Sequence, residues 1–566
     1  MKSSLNRRDF LKMSAQAGVL LGLGAGFGRG KAFASPANFD ILIKNGMVID
    51  GLSDNALKAD VGILGERIQA IGDLGAAQAG TIIDATGKAV TPGFIDIHAH
   101  TDAAEVLVNP KGESKIRQGV TLEVSGNCGS SSFPFKKEVS ENEKRYAKRY
   151  KLERDWVDLA GYLARIQKTG LAFNYVTLVG QGTIREYVMN EDRRKPTAAE
   201  LELMQKLVAE AMEQGAFGIS SGLEYTPSGF ASIEEVIELC RVAAKYGGFY
   251  ATHVRSEDRF VIEAVAEALY IAEKAGLPLQ ISHFKSCGTI NWWKMPKLFD
   301  LVEAAAKRGV AVTADRYPYT AYNTGLSVNF PQPALAGGNE AFIKLLQDPV
   351  ERRRLREETM QKLEGTPWEN ILLTDLDEEE NQRFIGKTVQ QAATELGQDP
   401  YEFVCDILIK EKGEVGYIGF GMSEEQTEEI LKHPLVMLCS DGSALAPYGP
   451  LHQGKPHPRN YGTFPRFLGV YVRNRKALGL PQAVKKMAAM PAAKLGLKDR
   501  GTLKQGNYAD IVVFDPATIA DKATYTEPEQ YPAGIDYVIV NGKVVIDHDN
   551  HTGALPGKVL YGPGKK

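Results

Sequence analysis

His98 and His100 close an apolar run, Thr91-Pro92-Gly93-Phe94-Ile95-Asp96-Ile97-His98-Ala99-His100. Alternate side chains of a strand share a face, so the two imidazoles point the same way. Two imidazoles converging from one strand end are the start of a metal site, and other parts of the chain can complete it. Cys128 lies in Gly126-Asn127-Cys128-Gly129, His253 in Ala251-Thr252-His253-Val254-Arg255, His283 in Ile281-Ser282-His283-Phe284-Lys285 and Asp441 in Cys439-Ser440-Asp441-Gly442. Each follows a short apolar run that reads as a strand. A lone histidine in such a place is ordinarily a hydrogen-bonded loop residue. Six metal-type residues at five strand ends point instead to a metal centre.

The elements that must position these residues are legible in the same stretches. Apolar strand candidates end near His100, Cys128, Gly182, Tyr225, His253, His283, Tyr317 and Asp441, with amphipathic helices between most of them. The segment from Ser232 to Tyr246 is one such helix: Ile233, Val236, Ile237, Cys240 and Ala244 keep helical spacing, Ser232 and Glu235 form a capping box, and Gly247-Gly248 is a stop signal. Eight strand–helix units predict an α/β fold, a (β/α)8 TIM-like barrel over residues 90–495, with its active site at the C-terminal ends of the strands. Residues 130–155 make a long connection after strand 2. A charged stretch of about 320–430 predicts a helical insertion after strand 7. Short strands fill residues 35–89, broken by turns such as Lys44-Asn45-Gly46, and recur in 496–566, where Asn541-Gly542 signals a hairpin. The two chain ends are expected to form one small β-sandwich domain.

The barrel pattern resembles the amidohydrolase superfamily, with its H-x-H on strand 1, histidines on strands 5 and 6, and an aspartate on strand 8. The closer resemblance is to the N-acyl-D-amino-acid deacylase (D-aminoacylase) group. Gly126-Asn127-Cys128-Gly129 is similar to that group's cysteine ligand, which stands where the superfamily commonly has a carboxylated lysine. Ser220-Ser221-Gly222-Leu223-Glu224-Tyr225, Asp315-Arg316-Tyr317-Pro318-Tyr319 and His457-Pro458-Arg459-Asn460-Tyr461-Gly462-Thr463-Phe464-Pro465-Arg466 are also similar to its signatures. The resemblance implies one tight Zn²⁺ on Cys128, His253 and His283, and a second, looser metal site bounded by His98, His100 and Asp441. A thiolate and neutral imidazoles suit tetrahedral zinc with one position left for water. Zinc lowers the pKa of such a water from about 15.7 to about 7, and Asp441 can accept its proton and return it to a leaving amine. Arg459, Lys285 and Tyr225 are implied as contacts for a substrate carboxylate, with Arg255 and His457 as weaker candidates. Lys285 lies two residues past His283 and Arg255 two past His253, so each is expected on its ligand's strand face.

The expected reaction is removal of the acyl group from an N-acyl-D-amino acid, a small-molecule substrate. Cyclic-amide hydrolysis of the dihydroorotase or hydantoinase kind, or dipeptide hydrolysis, is the alternative enzyme reading. A binding protein on a hydrolase barrel is the third, and the full set of six metal-type residues argues against it. The D preference comes from the resemblance alone.

Residues 1–34 read as a twin-arginine signal: Asn6-Arg7-Arg8-Asp9-Phe10-Leu11-Lys12, a Gly/Ala-rich stretch, then Ala32-Phe33-Ala34. The mature chain is expected from about Ser35, periplasmic or secreted, with no membrane anchor after signal removal. Residues 1–34 hold six Lys/Arg and one Asp, so their removal takes the net charge from −3 to −8. That charge argues against nucleic acid or an anionic membrane as partner. Five cysteines without paired spacing do not make a disulfide framework, and metal ligation gives one of them a purpose.

Overall fold

The computed structural model describes residues 38–136 and 141–566, with only the backbone for 141–143. The expected signal segment 1–34 lies outside the described residues. Among those described, no helix is long and apolar enough to cross a membrane.

The chain begins with five strands, β1 (Asn38–Val48), β2 (Leu57–Leu64), β3 (Arg67–Gly72), β4 (Gln78–Asp84) and β5 (Ala89–Pro92). The barrel strands follow: β6 (Phe94–Asp96), β7 (Val120–Ser125), β8 (Asn174–Thr177) with its continuation β9 (Val179–Gly180), β10 (Gly218–Gly222), β11 (Phe249–His253), β12 (Leu279–Ile281) and β13 (Val312–Arg316). Next come β14 (Tyr322–Gly325), β15 (Ile371–Asp375), β16 (Gly416–Gly419), and the last barrel strand, β17 (Val436–Leu438). The chain ends in β18 (Ile511–Phe514), β19 (Ile535–Val540), β20 (Lys543–Asp547) and β21 (Asn550–His551).

All barrel pairings are parallel, running β6-β7-β8 and β9-β10-β11-β12-β13-β17. Only Leu178 separates β8 from β9, and a parallel bridge between Ala99 and Gly442 joins the first and last strands. The result is the eight-stranded closed barrel. Parallel strands need long crossovers, and helices such as Ile233–Lys245 and Val261–Ala275 supply them while burying their apolar faces on the barrel. Ser232 caps the first of these, accepting from Glu235 N at 3.3 Å. The reciprocal half of the expected capping box is missing, because the Glu235 carboxylate pairs with buried Arg185 at 2.6 Å.

The chain ends form a single continuous nine-stranded sheet rather than two separate sheets, with a core of Ile41, Ile43, Val61, Ile83, Val513 and Ile539. Asn541 (φ 47°) and Gly542 (φ 74°) make the β19–β20 hairpin turn. The expected turn at Lys44-Asn45-Gly46 is a bulge within one long strand, because β2 pairs on both sides of it.

The insertion is mixed rather than helical. Its helices, including Gly338–Gln347 and Pro349–Lys362, pack with a three-stranded antiparallel sheet, β14-β16-β15, around a core containing Phe330, Phe342, Trp368 and Val404. Charged helix formers dominate the segment's composition and hide three short strands that pair only over long sequence distances.

Candidate metal centre

The strands end earlier than the sequence suggests. β6 stops at Asp96, β7 at Ser125, β12 at Ile281 and β17 at Leu438, so of the six metal-type residues only His253 lies within a strand. Cys128 (φ 51°), His283 (φ 35°) and Asp441 (φ 52°) sit just beyond strands in left-handed conformations. Such residues cost about 1–3 kcal/mol each and persist where the surroundings over-determine them. The left-handed turns aim all three side chains inward. Gly129 lets the Cys128 turn lie close to β10: a Cβ there would stand 2.6 Å from Gly222 N.

The six residues converge. Cys128 Sγ lies 3.4 Å from His98 Nε2, 3.5 Å from His283 Nε2 and 4.0 Å from His253 Nδ1. Asp441 Oδ1 lies 3.2 Å from His98 Nε2 and 3.0 Å from His100 Nε2. One ligand atom each from His98, Cys128, His283 and Asp441 falls within 4.8 Å of the others. The far nitrogen of each buried imidazole faces a carboxylate. His253 Nε2 is 3.0 Å from Glu224, His283 Nδ1 2.8 Å from Glu257, and His98 Nδ1 3.3 Å from Asp315. Metal-binding histidines are oriented in this way.

Electrostatics agree. Burial disfavours the imidazolium of His253, yet Glu257, Cys128 and Glu224 raise its pKa to about 10. Against the same burial, Asp441 and Cys128 raise His100 to about 9, and Asp315, Cys128 and Asp441 hold His98 well above its ordinary value. Burial would raise the Cys128 thiol, but the His98 charge and hydrogen bonds from His100, His253 and His283 hold it far below the usual thiol range. Burial would likewise raise Asp441, and Arg459, His283 and His98 hold it well below the carboxylate range. The site thus gathers a thiolate and carboxylates around its imidazoles, a donor set that a soft dication satisfies.

The site opens into a cavity of about 460 Å³. Tyr225, Lys285 and Arg459 line it. Tyr225 packs its ring 4.7 Å from that of His253, and its hydroxyl accepts from Thr324 at 3.3 Å. Lys285 donates to Glu257 at 2.5 Å, and its Nζ lies 2.8 Å from His283 Nδ1. Arg459 Nη1 donates to Asp441 Oδ2 at 2.6 Å, and its buried Nε has no hydrogen-bond partner among the described residues. Arg255 is not brought to the cavity. It pairs with Glu267 at 2.7 Å and donates to the Gly229 and Ala231 carbonyls. His457 is buried and held neutral; burial and the Arg459 charge depress its pKa, and it orders its loop by bonding Ala321 O at 3.0 Å.

The family description "Amidohydrolase family" matches residues 81–325 and 360–546. The chain belongs to the amidohydrolase family. Within that family it is 37% identical over 525 residues to the D-aminoacylase of Alcaligenes xylosoxydans xylosoxydans, covering 92% of this chain and 97% of that protein. The crystal structure of N-acyl-D-glutamate deacylase from Bordetella bronchiseptica, with zinc and a phosphonate mimic of the tetrahedral intermediate, superposes with TM-score 0.79 at 32% identity, covering 93% of this chain and 100% of that chain. A D-aminoacylase structure with a binuclear metal centre, activated by one metal and attenuated by the second, gives 0.77 at 35%, covering 92% and 100%. A D-hydantoinase at 18% identity and TM-score 0.53 shares the amidohydrolase fold alone.

Several residues of the site carry no signal of their own in the sequence. Glu224, Asp315 and Tyr317 stand inside the quoted motifs, and Glu257 lies four residues past His253, yet none announces a role without the fold. Tyr317 lines the cavity with a buried hydroxyl that has no partner among the described residues. The insertion adds Asn323, Asn329, Lys362 and Tyr417 to the cavity wall.

Proposed function

We propose that this chain is a zinc-dependent hydrolase that removes the acyl group from N-acyl-D-amino acids. The observation that carries this reading is the cluster around Cys128 Sγ, with His98, His283 and His253 ring nitrogens within 4.0 Å of it, Asp441 and Arg459 beside them, and N-acyl-D-amino-acid deacylases as full-length relatives. In this reading Cys128, His253 and His283 hold the tight zinc, and His98, His100 and Asp441 bound a second, weaker site. Zinc so held supplies a Lewis acid for the amide carbonyl and makes water nucleophilic near neutral pH.

The protein's own groups do the rest. Ionised Asp441 takes a proton from the attacking water and delivers it to the leaving amine nitrogen. Glu224 and Glu257 hold the His253 and His283 rings in register through their outer nitrogens. Lys285, Arg459 and Tyr225 receive the substrate carboxylate, with Arg459 Nε and the Tyr317 hydroxyl, both without a partner among the described residues, as further donors. The insertion wall, with Lys362 and Tyr417, meets the rest of the substrate. A panel of N-acetyl-D- and N-acetyl-L-amino acids and hydantoins tests the reading. D-selective release of free amino acid is expected; turnover of hydantoins alone would overturn it.

The Arg7-Arg8 pattern and the small residues at Ala32-Phe33-Ala34 support export of the folded protein. Retention in the cytoplasm with Arg7 and Arg8 intact would sink that part of the proposal.

A further inference from the structure

Lys115 is wholly buried beneath the metal centre, where an ammonium has no obvious purpose. It sits on the short helix Glu113–Ile116, and its three N–H groups are all used. They donate to Asp96 Oδ2 at 2.8 Å, Ser440 Oγ at 2.8 Å and Gly442 O at 3.0 Å. A second carboxylate, Glu123 Oε1, lies 2.7 Å away. Asp96 ends β6 and Glu123 lies in β7, while Ser440 and Gly442 flank Asp441 on either side.

That last pairing carries the inference. Asp441 is in a left-handed conformation (φ 52°), and the hydrogen bonds on its two neighbours fix it there. Asp96 Oδ1 accepts from Ser440 N at 2.9 Å, and Ser440 Oγ accepts from Gly442 N at 3.0 Å. Gly442 O also accepts from His100 N at 2.9 Å, and Asp441 N donates to His98 O at 2.9 Å. One ammonium therefore ties both sides of Asp441 to the strand that leads into the H-x-H pair.

We propose that Lys115 is a positioning residue: through Ser440 and Gly442 it holds Asp441 at the angle from which its carboxylate moves the proton. The inference rests on Asp441 as the proton carrier. A polar residue would not be buried here for packing, since an apolar side chain of the same length packs as well without two carboxylates to neutralise.

The test uses the zinc-loaded protein and two variants. Lys115→Met with Glu123→Gln removes the ammonium together with one buried charge. Ser440→Ala leaves Lys115, Asp96, Glu123 and the Lys115–Gly442 O bond in place, removes the hydroxyl that accepts from Lys115 and Gly442 N and donates to Asp96, and serves where the double variant does not fold. Turnover is measured on whichever substrate of the panel the wild type processes fastest, so the D-deacylase reading and the Lys115 inference fail separately. A misplacement near 1 Å costs about 100-fold in rate. The expected result is a fall in kcat of about 10- to 100-fold in each folded variant, with KM within about threefold and zinc at wild-type stoichiometry. A folded, zinc-loaded variant with kcat within threefold of wild type would overturn the proposal. So would a loss of kcat that tracks loss of zinc, which would make Lys115 part of the metal site's scaffold instead.

Discussion

At the scale of residues, the site depends on side chains re-aimed after their strands have ended. The H-x-H pair was legible because two histidines one residue apart stay on one face even past the last ladder bond. The same two-residue rule holds for Lys285, which lines the cavity, and fails for Arg255, which does not. β11 ends at His253, and beyond it the chain turns Arg255 out to Glu267, whereas the turn after β12 brings Lys285 back inward. The carboxylates behind the imidazoles were not legible, because which acid meets which ring nitrogen is decided by neighbouring strands. Two substitutions separate the roles within the site. Asp441→Asn keeps its volume and loses its proton affinity, so kcat is expected to fall about 100- to 10,000-fold with zinc retained. Cys128→Ala removes the thiolate, and metal analysis is expected to find the tight zinc gone. Full turnover by the Asn variant would sink the proton-carrier role.

At the scale of elements, the eight-strand count followed from apolar runs spaced by amphipathic helices, and the closed barrel bears it out. The strands of the insertion are not legible in the sequence because they are short and pair with partners far along the chain. One helical element carries a pH-dependent prediction. The helical run 480–494 places Lys486 under the base of β17, donating to His433 O at 2.6 Å and Val436 O at 2.8 Å. Burial lowers its pKa to about 8 from the ordinary 10.5. The unfolded chain then binds more protons than the folded one between about pH 8 and pH 10.5. Stability therefore rises with pH through that window, and the cost of burying the charge is fully present below it. The effect is on the order of 2 kcal/mol across the window. Thermal unfolding of wild type and Lys486→Met at pH 8 and pH 10 reads it: wild type is expected to gain on the variant as pH rises, and parallel behaviour would refute the assignment.

At the scale of the molecule, three bodies share the work. The barrel carries every residue of the metal centre, the sheet built from both chain ends closes around its own core, and the insertion walls the cavity. The barrel and the terminal strands were legible because hydrophobic periodicity is local. The insertion's contribution to the cavity was not, since it depends on how a separate core docks at the barrel mouth. The most direct measurement removes zinc with a chelator and restores it while following hydrolysis of N-acetyl-D-amino acids. Activity is expected to vanish with the metal and to return in full at about one zinc per chain, consistent with one tight site on Cys128, His253 and His283. Undiminished D-deacylase turnover by protein shown to be metal-free would contradict it.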